Sequence, residues 1–266
     1  MNIKSLLLGS AAALIAVSGA RAADAVVVAE PEPAEYVKIC DVYGAGYYYI
    51  PGTETCLRIG GYVRYDIGLG DVRSYDSART SDVRTGEDQG TWRNSTRFTF
   101  KTWTGQQTEL GALTTYTETQ VNFGNSANSH DSPQNYDFNS GLALASAWVE
   151  LGGLRVGKEG SAFDTFVSYA GNVLDSMLVP SAGFDTNVAQ YHFDAGNGIS
   201  TVISLEQGSG SAGTIDSYIP HVVAGLKYTQ GWGSITGVAA YDSNYEAFAG
   251  KIRVDVAVTN QLSLFG

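Results

Sequence analysis

Residues 57–69 read LRIGGYVRYDIGL, and this stretch decides the class of fold. Its odd positions, from Leu57 to Leu69, are mostly apolar, whereas its even positions carry charged or small side chains such as Arg58 and Arg64. Successive side chains of a β-strand point to opposite faces, so an alternation with a period of two predicts a strand with one apolar and one polar face. The stretch therefore predicts a long amphipathic strand.

The same alternation returns along the whole chain. In residues 247–258, for example, Ile252 and Val254 alternate with Lys251 and Arg253. A soluble sandwich also alternates, but charges on the minor face of so many long strands favour a barrel with a wet interior. The pattern predicts about ten strands and the start of an eleventh at Leu262. The ten lie near residues 57–70, 92–104, 108–122, 142–151, 154–158, 188–194, 199–206, 220–229, 234–242 and 247–258.

Short turns and long polar connections alternate between these strands. Gly152-Gly153 and residues 195–198 are examples of the short turns. The long connections are residues 71–91, 123–140, 207–219 and 242–246. Membrane barrels combine short periplasmic turns with longer external loops. The chain is therefore predicted to be all-β, with the fold of a transmembrane antiparallel β-barrel.

The N-terminus has the pattern of a secretory signal peptide. Lys4 is followed by an apolar run from Leu6 to Val17 and by the small-residue site Ala20-Arg21-Ala22. Such a run is too short to span a bilayer as an anchor, which is the alternative. We predict cleavage between Ala22 and Ala23. The domains are then a signal peptide (1–22), a periplasmic segment (23–56) and the barrel (57–266).

The composition excludes several classes of function. Without Lys4 and Arg21, 14 basic residues face 27 acidic ones, which gives the mature chain a net charge of −13. A nucleic-acid binder would carry a basic surface instead. The three histidines are scattered without ligand spacing, so neither a metal nor another cofactor is predicted.

The two cysteines, Cys40 and Cys56, stand alone in an exported chain. An isolated pair in an oxidising compartment is expected to form a disulfide. The alternative, a metal site, needs more ligands than two thiols. A disulfide is therefore predicted in the periplasmic segment.

Basic residues recur every four positions in the second predicted strand, at Arg93, Arg97 and Lys101. That spacing also fits one face of a helix, but the Thr and Phe residues between them favour a strand. The three side chains would then project inward at intervals of about 13 Å. We predict that they form a basic pore wall together with Arg64. The alternative is that these cations pair with neighbouring carboxylates at a rim.

The segment from Glu159 to Asp185 differs from the other connections. It follows a tight hairpin and reads EGSAFDTFVSYAGNVLDSMLVPSAGFD, with many apolar residues. A loop that faced only solvent would not need that much apolar surface. We predict that it folds into the barrel, with Glu159, Asp164 and Asp175 as the acidic side of a constriction. A packed external lid is the alternative.

Motifs for catalysis and nucleotide binding are missing or lack their context. Residues 208–213 match G-x-G-x-x-G literally, but no strand–helix unit surrounds them. No acid/base pair or nucleophile motif is recognisable. The chain is therefore not predicted to be an enzyme.

Two segments carry a resemblance to a known family. Residues 36–59, YVKICDVYGAGYYYIPGTETCLRI, resemble the opening of the alphaproteobacterial general porins, as do residues 23–27. The hairpin WVELGGLRVGK at residues 148–158 looks like the one before their constriction loop. The resemblance implies a barrel of about sixteen strands in the outer membrane, in contact with lipid and lipopolysaccharide. It further implies a homotrimer, with one pore per subunit narrowed by the third loop.

The C-terminus departs from that family. Its members close the barrel with further strands and end on an aromatic residue, whereas this chain ends at Leu264-Phe265-Gly266. An open sheet edge in lipid leaves unpaired backbone groups, which are costly. We therefore expect a truncated member or an incomplete sequence, with a smaller closed barrel as a further alternative.

The predicted function is passive diffusion of small hydrophilic solutes and ions across the outer membrane. Two alternatives stay open. One is a non-conducting barrel that serves as a surface adhesin or receptor, and the other is a truncated porin without function.

Overall fold

The computed structural model describes residues 37–70, 78–124, 138–139, 141–168 and 185–266. Two short helices are present, α1 (Ala162–Thr165) and α2 (Gly210–Gly213). The strands are β1 (Tyr48–Tyr49), β2 (Cys56–Gly68), β3 (Ala78–Ser81), β4 (Asp88–Thr91), β5 (Arg93–Thr108), β6 (Gly111–Gly124), β7 (Phe138–Asn139), β8 (Ala143–Leu151), β9 (Leu154–Glu159), β10 (Thr186–Asp194), β11 (Ile199–Gln207), β12 (His221–Gln230), β13 (Gly233–Asp242), β14 (Ala247–Ala257) and β15 (Ser263–Phe265).

Thirteen of these strands form one antiparallel sheet. Their order follows the chain, β1-β2-β5-β6-β8-β9-β10-β11-β12-β13-β14-β15, with β7 paired to the end of β6 and β3 and β4 forming a separate hairpin. Short hairpin connections produce this arrangement, because antiparallel neighbours need only a tight turn. Within the described part of the chain, no pairing joins β15 to β1 or β2. The described fold is thus an antiparallel sheet of many strands, as predicted; closure into a barrel stays a proposal.

The register gives the sheet two chemically different faces. Arg64 is paired with Arg97, and Arg97 with Asn122, so these side chains point to one side. Val63 and Phe98, which are paired with each other, point to the other side, where the Val63 side chain is 71% exposed. We call these the polar face and the apolar face. The alternation in the sequence predicted both.

Each of the eleven predicted strands is present, and β1, β3, β4 and β7 are additional. The largest displacement is at the end of β5, which continues to Thr108 rather than ending at residue 104. The sheet passes through Gly105. A Cβ at Gly105 would lie 2.6 Å from the Tyr43 ring, so this glycine makes room for a side chain of the N-terminal segment.

Two connections that were predicted to be long loops are more ordered than expected. Residues 78–91 within the first contain the β3–β4 hairpin. Its turn is held by Asp82, whose carboxylate accepts hydrogen bonds from the backbone N–H groups of Thr85 and Arg84, and these bonds hold the pKa of Asp82 below its ordinary value. Residues 243–246 form only a short turn, in which the Asp242 carboxylate accepts the backbone N–H of Asn244. Local side-chain hydrogen bonds of this kind replace loop flexibility with a defined turn.

The buried apolar cluster lies on the polar face. It consists of Ala162 of α1, Val202 of β11 and Val223 of β12, with Phe163 and Phe166 packed against it. Burial of apolar side chains is the main favourable contribution to such packing. The beginning of the 159–185 segment is therefore held against the sheet on the same side as the charged residues.

Candidate pore lining

The polar face carries the charged residues of the sheet in register across many strands. Paired positions of an antiparallel sheet share a face, so the pairings place these side chains together. The charged members are Arg58, Arg64, Asp66, Arg93, Arg97, Lys101, Glu118, Glu150, Arg155, Glu159, Asp194, Glu206, Lys227, Asp242, Lys251, Arg253 and Asp255. Both signs of charge occur in this set. The face is therefore highly polar without being uniformly of one charge.

The four residues that were predicted to form a basic wall lie on this face. Arg64 forms an ion pair with Asp66, with Nε and Oδ2 2.8 Å apart, and Lys101 Nζ lies 3.1 Å from Glu118 Oε2. Arg97 Nε donates a hydrogen bond to Asn122 Oδ1 at 2.7 Å. Arg93 is paired with Gly68 at the beginning of β5. Arg64, Arg97 and Lys101 thus each contact a polar side chain on their own or the next strand.

A row of tilted aromatic rings crosses the same face between two arginines. Trp103, Tyr116 and Trp148 stand in register on β5, β6 and β8, with ring centroids 5.3 and 5.7 Å apart. The Arg58 guanidinium lies 4.3 Å from the Trp103 centroid, and the Arg155 guanidinium lies 3.9 Å from that of Trp148. Cation–π contacts at both ends cover the outer ring faces. The row therefore links β5, β6 and β8 and restricts the orientation of the two guanidinium groups.

Arg155 also joins the strands at the base of the 159–185 segment. Its guanidinium pairs with Glu150 on β8 at 2.7 Å and with Glu159 at 2.9 Å. Gln190 of β10 donates a further hydrogen bond to Glu159, with Nε2 and Oε2 3.0 Å apart. A guanidinium with several donors in one plane suits such a shared site. Glu159, one of the predicted acidic residues, is thus engaged in this cluster.

α1 lies across the polar face rather than beside it. Ser161 caps the helix by accepting the Phe163 N–H, and the Ala162 N–H donates to the buried Glu206 carboxylate at 2.8 Å. Asp164 Oδ1 lies 2.5 Å from Lys251 Nζ, and the Asp164 side chain is only 5% exposed. Residues of one loop thus contact strands β11 and β14, which follow it in the chain.

Several predicted residues lie outside the described part of the chain. These are Asp175 and the cleavage site at Ala22 and Ala23. Asp164 is placed against Lys251, and its position relative to Arg64, Arg93, Arg97 and Lys101 stays a prediction. Glu206, Lys251 and Arg155 were not predicted as site residues. The sequence showed only that they are charged residues at polar-face positions of predicted strands. It did not indicate which residues they contact.

The predicted disulfide is present in the structure. Cys40 and Cys56 are bonded, with Cα atoms 6.0 Å apart, and both are buried. The bond ties residues 37–55 to the first residue of β2. Tyr43 of this segment packs toward Gly105 of β5, and burial raises its pKa above the ordinary value.

The connection between β11 and β12 closes on itself. Gly208 donates its N–H to the Gly213 carbonyl, and α2 lies inside the glycine motif instead of following it. The Ser243 N–H donates to Nδ1 of His221, and Nε2 of the same ring lies 3.1 Å from the Gly213 carbonyl oxygen. His221 therefore links this connection to the β13–β14 turn at the rim of a cavity of about 500 Å³.

The described residues contain no group of three or more His, Cys, Asp or Glu residues that could hold a metal ion. They also contain no helix that is both long and apolar enough to cross a membrane.

Comparison with known proteins identifies the protein family of this chain. A family model described as a porin subfamily matches residues 24–266. The chain belongs to the porin family. Porin Omp2b of Brucella canis and Porin Omp2b of Brucella suis biovar 1 are each 50% identical to this porin over 273 aligned residues. The alignments cover 100% of this chain and 73% of each relative. No solved structure matches.

Membership in the family explains the two faces of the sheet. In an outer-membrane porin, one side of each strand meets lipid and the other meets the aqueous interior. The exposed apolar face, with side chains such as Val63 and Ile252, is then the lipid side, and the polar face is the water side. The predicted family, the outer-membrane location and the absence of enzymatic activity are all confirmed by the match. This porin is a diffusion channel.

Proposed function

We propose that the polar face lines a water-filled passage and that residues 159–168 narrow it from within. Small hydrophilic solutes and ions would cross passively, because the wall offers charges and hydrogen-bonding groups to water at every strand. The observation that carries this proposal is the ion pair between Asp164 and Lys251. It holds part of a loop over the side of the sheet that faces water in a porin.

The charges of the passage are the next part of the proposal. We infer that Glu159, Asp164 and Asp175 form the acidic side of the constriction, and that Arg64, Arg93, Arg97 and Lys101 form its basic side. Support comes from the shared polar face of Arg64, Arg97 and Lys101 and from the position of Asp164 on the segment packed against that face. Opposed charges across a narrow aqueous gap create a transverse field that favours dipolar solutes.

The assembly of the channel rests on the family resemblance. We infer a closed barrel of about sixteen strands, because every backbone group in lipid needs a partner. We also infer a homotrimer in contact with lipopolysaccharide. The N-terminal 22 residues are proposed to be removed on export, which would leave a periplasmic segment at residues 23–56 before the barrel.

Planar-bilayer recordings test the proposed function. The purified, folded protein should produce stepwise increases of current that are proportional to voltage. A folded protein that inserts into bilayers but never conducts would contradict the proposal and favour an adhesin or receptor. Light scattering in detergent would give the mass of the assembly, and mass spectrometry of its N-terminus would locate the cleavage site.

A further inference from the structure

Three strands that follow the 159–168 segment in the chain contact it by different chemistry. Lys251 of β14 pairs with Asp164 and also lies 4.4 Å from the centroid of the Phe163 ring. The two charged side chains are 16% and 5% exposed, so water screens their attraction much less than it would at a surface. This ion pair therefore restrains the helix more strongly than an ion pair exposed to solvent would.

The second contact is made by β11. Glu206 is 5% exposed and accepts the N–H of Ala162, which lies in the first turn of α1. A helix of four residues is not stable by itself, because its nucleation is unfavourable and it forms few internal hydrogen bonds. The helical conformation of α1 and its position on the polar face therefore both depend on its contacts with the strands.

The third contact is a notch in β12. Gly225 lies under the Phe166 ring, and a Cβ there would be 2.5 Å from Cδ1 of Phe166 and 3.0 Å from Cγ1 of Val202. A side chain at this position would have to displace the ring, because the neighbouring valine is itself buried. Gly225 thus admits Phe166 close to the sheet.

We propose that Lys251, Glu206 and Gly225 form a seat that holds residues 161–168 against the wall and thereby sets the width of the passage. This inference rests on the proposed function. Residues 161–168 occupy space on the water side of β11 to β14, so their distance from the wall determines the remaining opening. Loss of the seat should let the segment move and make the opening wider and less constant.

The charge contact can be tested with a matched pair of variants. Lys251→Gln removes one positive charge and the bond to Asp164. Lys227→Gln removes one positive charge from the same face on β12, where no hydrogen bond or ion pair joins it to α1 among the described residues. Both should shift ion selectivity toward cations. Only Lys251→Gln should increase single-channel conductance and current noise and admit larger sugars in vesicle-swelling assays.

A second pair tests the notch without changing any charge. Gly225→Ala should displace Phe166 and again raise the size limit for sugars. Gly237→Ala on β13 is the control, since the nearest atom to its Cβ would be Cγ1 of Ile252 at 4.0 Å. It should behave like the parent. The exchange of charges in Asp164→Lys with Lys251→Asp should bring conductance back toward the parent value.

The possible outcomes distinguish a failure of the proposed seat from a failure of the proposed channel function. A parent protein without conductance contradicts the proposed function. If the parent conducts and Lys251→Gln and Gly225→Ala keep its size limit and noise, the seat does not determine the width. If one of these variants does not fold, the other decides, because the two act on different strands.

Discussion

The guanidinium of Arg155 forms an ion pair with Glu150 on the neighbouring strand, with Nη2 and Oε2 2.7 Å apart. The same guanidinium pairs with Glu159, where the loop leaves the sheet. One arginine therefore forms ion pairs with two carboxylates and lies over the Trp148 ring as well. This arrangement predicts that Arg155 contributes to stability out of proportion to a surface ion pair.

Replacing Arg155 with methionine should destabilise the sheet by about 1–3 kcal/mol, because two carboxylates lose their charged hydrogen bonds and repel each other. Urea unfolding in lipid vesicles, followed by tryptophan fluorescence, measures the change. Arg155→Lys keeps the charge but loses the planar donors, so it should show a smaller loss. Equal stability of the methionine variant and the parent would show that the cluster is energetically unimportant.

Gly157 is expected to resist substitution for steric reasons. Its φ is +139°, and a Cβ would lie 2.3 Å from the Ala147 carbonyl oxygen and 2.6 Å from Cα of Trp148. Gly157→Ala should therefore lower the free energy of unfolding by about 1–3 kcal/mol. Gly250→Ala serves as a control, since its Cβ would have an ordinary 3.4 Å contact with the Val238 carbonyl oxygen. Similar unfolding curves for both variants would count against the argument.

The disulfide gives a prediction for the mature protein. A thiol assay on denatured, unreduced protein should detect no free thiol, and reduction should release both. Replacing Cys40 and Cys56 with serine should destabilise the protein by roughly 3 kcal/mol in the chain-entropy model. Two thiols that titrate before reduction would contradict the pairing.

Ion selectivity tests the proposed constriction. Neutral replacements of Arg93, Arg97 and Lys101 should shift selectivity toward cations, because they leave the acidic residues of the wall in excess. Asn in place of Asp164 and Asp175 should shift it toward anions. Reversal potentials under a salt gradient give both results. If neither set differs from the parent, these charges do not line the constriction, and the loop is an external lid.

Much of the fold could be predicted from the sequence because the decisive pattern is local. Alternation with a period of two assigns each residue of a strand to one face, whichever strands become its neighbours. The polar positions of Arg64, Arg97 and Lys101 and the apolar positions of Val63 and Phe98 followed from parity alone. Tight turns then brought consecutive strands together in the order of the chain. The porin resemblance rested on equally local stretches.

The contacts of the site could not be predicted in this way. Asp164 and Lys251 are 87 residues apart, and nothing near either residue indicates the other. Gly105 illustrates the same limit, since only the position of Tyr43 in the folded chain shows why a Cβ is excluded there.

The sequence by itself determined which side chains face water and which face lipid, because that property depends only on the strand period. The tertiary structure alone decided which charges meet, because pairing depends on strand register and on the path of residues 159–168 over the polar face. Lys251, Glu206 and Gly225 acquire their partners only when β11, β12 and β14 lie side by side under that segment.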